Sequence, residues 1–267
     1  MIYSFSLEIA GIRIVLACNH AGLCKALSQR YQAFLTEHAS QFKVNVSWAK
    51  KVNSTAFTIP NITIDGYRVQ LTAPEFSGFC DFTEHQAEIM IQIMTPVEAV
   101  DYFLRVVFAL LAFEAQGIMV HGAGILHNER GYLFFGHSGS GKTTLSRLSV
   151  NDAVLNDDLV VLMPLKNAWM MYGTPFWHPS QIEPNPLSAS LIAMYRLVQD
   201  KSVFIESLTP GQALAELMAN VPIIPSDSRL SFLLLDRCMI LLQRVPAYQL
   251  HFLPDASFWQ AINNQSL

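Results

Sequence analysis

Tyr132-Leu133-Phe134-Phe135-Gly136-His137-Ser138-Gly139-Ser140-Gly141-Lys142-Thr143-Thr144-Leu145-Ser146-Arg147-Leu148 is the segment around which the rest of the chain arranges itself. Four apolar residues read as a short strand, a Gly/Ser-rich loop follows, and Lys142 to Leu148 carries a helix pattern. Residues 136–143 have the form G-x-x-x-x-G-K-[ST], the phosphate-binding P-loop pattern. Its glycines allow positive φ and let backbone N–H groups come close to phosphate oxygens. The helix start adds free N–H groups and the positive end of its dipole. Lys142 supplies a point charge for the β- and γ-phosphates, and the Thr143 hydroxyl is a ligand for Mg²⁺. Gly136, His137, Ser138, Gly139, Ser140, Gly141, Lys142, Thr143 and Thr144 are therefore the expected ATP-binding residues.

Downstream of Lys142 comes Asn156-Asp157-Asp158, between the apolar runs Ala153–Leu155 and Leu159–Leu162. Adjacent carboxylates between apolar strands are costly unless they are solvated or hold a cation. Standing alone they would read as a surface turn. A helix of two to three turns returning to a neighbouring strand would instead bring them to the mouth of the loop. One could then hold Mg²⁺ and the other take a proton from a substrate hydroxyl. His121, in the apolar strand 118–126, is open to two readings: a core histidine with satisfied ring nitrogens, or a member of the site.

These residues resemble a known family. FFGHSGSGKTTLS followed by LNDDLVV is similar to the nucleotide site shared by HPr kinase/phosphorylase and phosphoenolpyruvate carboxykinase, and MVHGAGIL resembles the His-Gly strand ahead of that site. The likeness is closest to HPr kinase-related proteins associated with peptide modification. It covers roughly residues 97–262 and includes YGTPF at 172–176 and VPAYQLHF at 245–252. It implies that Gly136 to Thr143 hold the nucleotide and that Thr143 and Asp157 serve the metal. It further implies that Asp158, the second Asp, is the base, with Asp157, His121 and Lys142 completing the catalytic set. The chain departs from HPr kinases at His137, where they carry an acidic residue, and it lacks their Ile-Glu-Ile-Arg-Gly signature.

Outward from this segment, Val97–Gln116 is almost wholly apolar, with Pro96 at its start and Gly117 at its end. Its charges Glu98, Asp101 and Arg105 share one narrow face. It reads as a buried spine helix that opens a domain spanning 96–267, with an N-terminal α+β region over 1–95. In that region the pattern predicts a hairpin turning at Ala10-Gly11 and a helix over Ala21–Leu35. Strands are expected at Phe42–Trp48, Ala56–Ile64, Tyr67–Leu71 and Glu88–Ile93, with a turn at Ile64-Asp65-Gly66-Tyr67. Beyond the loop, strands are expected at Ala153–Leu155, Leu159–Met163, Trp169–Tyr172 and Tyr248–Phe252. Helices are expected at Ser188–Val198 and Gly211–Met218. The fold class expected is α/β: an N-terminal α+β region plus an HPr kinase/carboxykinase-like P-loop domain with a mixed sheet.

Composition narrows the function classes. With 17 Lys and Arg against 21 Asp and Glu, the net charge is −4, which argues against a nucleic-acid partner. Hydrophobic residues make up 51% and charged ones 14%, so the chain is not disordered. The mean hydropathy is +0.29, yet the most apolar run, Val106 to Phe113, is far too short to span a membrane. Glu8 and Arg13 interrupt the apolar N-terminus, which does not read as a signal peptide. Cys18, Cys24, Cys80 and Cys238 show neither CxxC pairing nor metal spacing, the usage of reduced thiols in a cytoplasmic protein. The apolar excess and the resemblance both suggest a homo-oligomer. The activity expected is ATP- and Mg²⁺-dependent phosphoryl transfer to a hydroxyl, a Ser of a protein or peptide. The alternatives are a nucleotide-binding regulatory or scaffold module without turnover, and a small-molecule kinase. Arg147, Arg196, Arg229, Arg237 and Arg244 are all open as partners for phosphate charge.

Overall fold

In the computed structural model, residues 1–49, 60–65, 68–93, 96–178, 180–222 and 228–265 are described. They form a mixed α/β fold built on two sheets, and the chain divides into two compact units between Leu111 and Ala112.

The first unit begins with β1 (Tyr3–Ile9) and β2 (Ile12–Cys18). Ala10 and Gly11 between them have φ of +54° and +77°, the left-handed pair that a two-residue hairpin turn requires. α1 (Ala21–Arg30) is capped by His20, whose Nδ1 accepts the Leu23 N–H at 3.2 Å. It stops short of the expected Leu35, and a single 3₁₀ turn at Gln32–Phe34 follows. Then come β3 (Phe42–Trp48), β4 (Asn61–Asp65), β5 (Arg68–Thr72), β6 (Phe76–Asp81), β7 (Gln86–Ile91) and α2 (Pro96–Glu114). Residues 56–59 of one expected strand, and Gly66 and Tyr67 of the expected turn, lie outside the described residues. In the β4–β5 ladder Asp65 pairs with Arg68. The strand order is β1-β2-β3-β7-β6-β5-β4, with β2, β3 and β7 parallel and the flanking pairs antiparallel. Alternation buries Leu7, Ile9, Ile14, Leu16, Val44, Val46, Val69, Leu71, Ile89 and Ile91. The α2 charges do not all face water. Asp101 is buried and accepts from Arg30 Nε at 2.8 Å, Arg105 Nε at 3.0 Å and the Tyr31 hydroxyl at 3.2 Å, tying α1 to α2.

The second unit contains β8 (Ile118–His127), β9 (Arg130–Phe135), α3 (Lys142–Leu148), β10 (Ala153–Asn156), β11 (Leu159–Leu165), β12 (Ala168–Gly173) and β13 (Ser188–Gln199). β14 (Phe204–Ser207), α4 (Pro210–Ala219), α5 (Ser228–Arg244), β15 (Ala247–Phe252) and α6 (Ser257–Asn263) complete it. Its sheet is mixed: β13 runs parallel to β9 and β15, and the remaining pairs are antiparallel. Five strands close a ring of pairings, β8–β9–β13–β12–β11 and back to β8. One core lies on the α4/α5 side and holds Val120, Leu133, Phe135, Val160, Met171, Met194, Leu217, Leu234 and Cys238. The other lies on the α3/α6 side and holds Ile125, Phe134, Leu145, Tyr195, Leu197, Phe252, Phe258 and Ile262.

One element differs in kind from its expectation. Ser188–Val198 is not a helix but most of β13. The strand is buried on both faces, with Ala189, Leu191 and Met194 in one core and Ala193, Tyr195 and Leu197 in the other. A register irregularity between Leu191 and Ala193 shifts the alternation, so the apolar run carries no clean period of two. The sequence pattern predicts no counterpart for α5, α6, β6 or β14.

Candidate functional site

β9 delivers the chain into the loop 136–141, and α3 takes it away. Three glycines hold left-handed or otherwise positive φ: Gly136 at +147°, Gly139 at +80° and Gly141 at +107°. Gly141 is needed for space as well. A Cβ there would lie 2.5 Å from the Phe252 ring, whereas at Gly139 it would meet nothing within 4 Å. The loop's carbonyls are held from several sides. Lys142 Nζ donates to Gly136 O at 2.7 Å and His137 O at 3.2 Å, and Gln199 Nε2 donates to Gly139 O at 2.8 Å. Lys142 is 8% exposed. Burial pulls its pKa below the usual lysine value, and the charges of Asp158 and Asp157 partly restore it.

Asn156 ends β10, Asp157 and Asp158 follow it, and the three are not a surface turn. Asn156 is completely buried, and its Oδ1 accepts the backbone N–H of Asp158 at 2.6 Å and of Leu159 at 2.8 Å. Its Nδ2 donates to Thr174 O at 2.8 Å and Phe176 O at 3.0 Å. This Asx turn is the bracket that fixes the two aspartates. Asp157 is 1% exposed, and neither carboxylate oxygen has a hydrogen-bond partner. Burial raises its pKa. The Thr143 hydroxyl and the Ile182 N–H approach closely enough to oppose that shift but do not reach hydrogen-bond geometry, and the Asp158 charge adds to the rise. Ser140 Oγ is also buried and unpartnered.

Asp158 is half-buried, and its Oδ1 lies 3.0 Å from His121 Nδ1. The pair follows from strand register, since His121 on β8 stands opposite Leu159 on β11. His121 thus stands on β8 beside the end of β9 and the start of β11, where Gly136, Asp157 and Asp158 also lie, and Lys142 and Thr143 open α3. Two participants carried no recognisable sequence signal. Gln199 ends β13, and Asn220 follows α4 and accepts the Gly136 N–H through Oδ1 at 3.3 Å. For Asn156 a signal existed in the Asn-Asp-Asp run itself.

The arginines separate. Arg237 is structural: it donates to Phe113 O at 2.6 Å and Gly117 O at 3.0 Å, and it stacks over the Phe113 ring. Arg147 donates to Ser180 O at 2.6 Å. Arg196, paired in the strand ladder with Phe135, bonds Glu216 at 2.8 Å and Gln249 at 2.6 Å.

Among the described residues, no group of three or more His, Cys, Asp and Glu side chains is placed to hold a metal by itself. The buried, unpartnered Asp157 carboxylate beside Thr143 fits a different kind of site. Mg²⁺ is commonly held by one or two protein oxygens plus phosphates and water. No helix among the described residues is long and apolar enough to cross a membrane. Compared with models of known protein families and with curated proteins, the chain shows no match.

Proposed function

We propose that this protein is an ATP- and Mg²⁺-dependent kinase of HPr kinase-like P-loop architecture. It would transfer the γ-phosphoryl group to a hydroxyl, a Ser of a protein or peptide. One observation carries the reading: Asp157, a fully buried carboxylate without a hydrogen-bond partner, stands beside Thr143 at the start of the helix that follows the glycine loop. An uncompensated carboxylate is costly to bury, and a cation at the loop is what would offset it.

ATP supplies the phosphoryl donor, and Mg²⁺ neutralises charge on its phosphates. The chain's own residues do the rest. Thr143 and Asp157 hold the metal. Lys142, already turned toward the loop by the Gly136 and His137 carbonyls, places its charge at the phosphates. Asp158 takes the proton of the acceptor hydroxyl as the new P–O bond forms and the bond to the leaving diphosphate breaks. His121, at 3.0 Å, fixes the orientation of that carboxylate. A base has no task in a pure nucleotide sensor, so the Asp158–His121 pair favours turnover over the scaffold alternative. Self-association belongs to this reading, and light scattering over a hundredfold range of concentration measures it.

The test is Lys142→Ala. Wild type should gain thermal stability with millimolar ATP–Mg²⁺, and the variant should not. A wild-type melting temperature indifferent to ATP would refute the reading.

A further inference from the structure

α4 ends on a residue whose polar groups are all engaged. Asn220 is 7% exposed and serves as the C-cap. Its backbone N–H returns to Leu217 O at 3.0 Å, and its Nδ2 donates to Glu216 O at 2.8 Å. Those two bonds are ordinary for a helix end, where the last carbonyls need donors. The other two are not. The Asn220 carbonyl accepts the His121 N–H at 2.7 Å, and Oδ1 accepts the Gly136 N–H at 3.3 Å. One residue therefore grips both the strand that carries His121 and the first peptide of the glycine loop. One turn earlier, Glu216 bonds Arg196, the ladder partner of Phe135. The final turn of α4 thus holds the chain at the point where it leaves the sheet. That point is Gly136, whose φ of +147° no strand imposes.

We infer that Asn220 is a positioning residue for the site: its amide sets the entry peptide of the loop, and its carbonyl sets the His121 strand. A helix cap alone does not need a side-chain acceptor aimed at a loop 84 residues away. The inference rests on the proposed nucleotide site for its functional consequence, but not for its geometry. That separation makes the two testable apart.

Two variants and two readouts decide it, with Leu217→Ala as a control that loosens α4 without touching the amide. Without ligand, hydrogen exchange at the Gly136 amide should accelerate in N220A beyond its rate in the control at matched thermal stability. With ATP–Mg²⁺, calorimetry should show affinity weakened about ten- to a hundredfold in N220A. N220D is diagnostic. Its protonated carboxyl can accept from Gly136 and donate to Glu216 O, whereas its ionised form cannot donate and repels phosphate. A carboxyl at a position only 7% exposed titrates above the free value, so affinity relative to wild type should recover as the pH falls toward about 5, a dependence that a packing defect would not produce. Should N220A fail to fold, N220G, which removes the acceptor at a helix end that tolerates glycine, carries the exchange readout and N220D the affinity readout. Gly136 exchange no faster than in the control overturns the inference, and so does faster exchange with unchanged ATP affinity. If wild type binds no ATP, the kinase reading falls, and the Gly136 exchange alone decides the role of Asn220.

Discussion

Asp157 sets stability against the proposed chemistry. Its pKa in the folded chain stands above the unfolded value, so the native state holds its proton more tightly. Below the unfolded pKa of about 3.8 both states hold the proton and the shift costs nothing. As the pH rises through the folded pKa the carboxylate ionises without a partner, and stability is lost. Asp157→Asn removes that loss. Without ligand, the variant should melt about 2–4 °C above wild type at neutral pH, the shift given by about 1 kcal/mol in a unit of this size. The gain should vanish in acid, and calorimetry between about pH 4 and 7.5 checks both limbs. The same variant should need more Mg²⁺ for ATP-linked stabilisation. Asp158→Asn should instead keep nucleotide affinity and lower turnover by about 10²- to 10⁴-fold. The residues of the loop were legible in the sequence because the motif is contiguous. Asn220 was not, because its role depends on a partner brought near only by the closed fold.

At the scale of elements, the glycine loop separates two costs that sequence alone merges. Gly141→Ala adds a Cβ inside van der Waals contact with Phe252 and places an alanine at φ +107°. Gly139→Ala meets open space and bears only the backbone cost of about 1–2 kcal/mol. Urea unfolding should therefore rank Gly141→Ala as the more destabilising of the two. Adding Phe252→Leu should restore part of the first loss and none of the second. Asn156→Ala, which strips four backbone groups, three of them buried, of their side-chain partner, should cost more than either glycine change and should impair metal use as well. The strand–loop–helix unit, the β1–β2 hairpin and α2 were readable because periodicity and turn residues agree there. β13 was not, because burial on both faces and a change of register remove the alternation that identifies a strand. α5 begins Ser-Arg-Leu-Ser-Phe-Leu-Leu-Leu, a run without the clear polar spacing that marks a helix in sequence.

At the scale of the whole molecule, the apolar composition is absorbed largely by buried side chains, the four thiols among them. Cys18, Cys24, Cys80 and Cys238 are free and buried. Burial pushes the thiols of Cys18, Cys80 and Cys238 up to about 12. Only the thiolate reacts, so a maleimide should label none of these quickly in the native protein. Cys238 reports on the unit that holds the glycine loop, and ATP–Mg²⁺ at about 100 Kd should slow its labelling about a hundredfold if labelling requires unfolding of that unit. Mass spectrometry of the labelled peptides resolves the sites. The ring of five strands has a consequence in time as well as in space. Its hairpins, β8–β9 and β11–β12, join neighbours in sequence and form early, whereas the seams that β13 makes with β9 and β12 wait for distant chain to return. Until β13 arrives, β9 and β12 each present a row of unpaired backbone groups, open to any passing strand. Refolding should therefore lose yield steeply with concentration even if the finished protein stays clear at the same concentration, because the hazard belongs to the interval before the last seam closes.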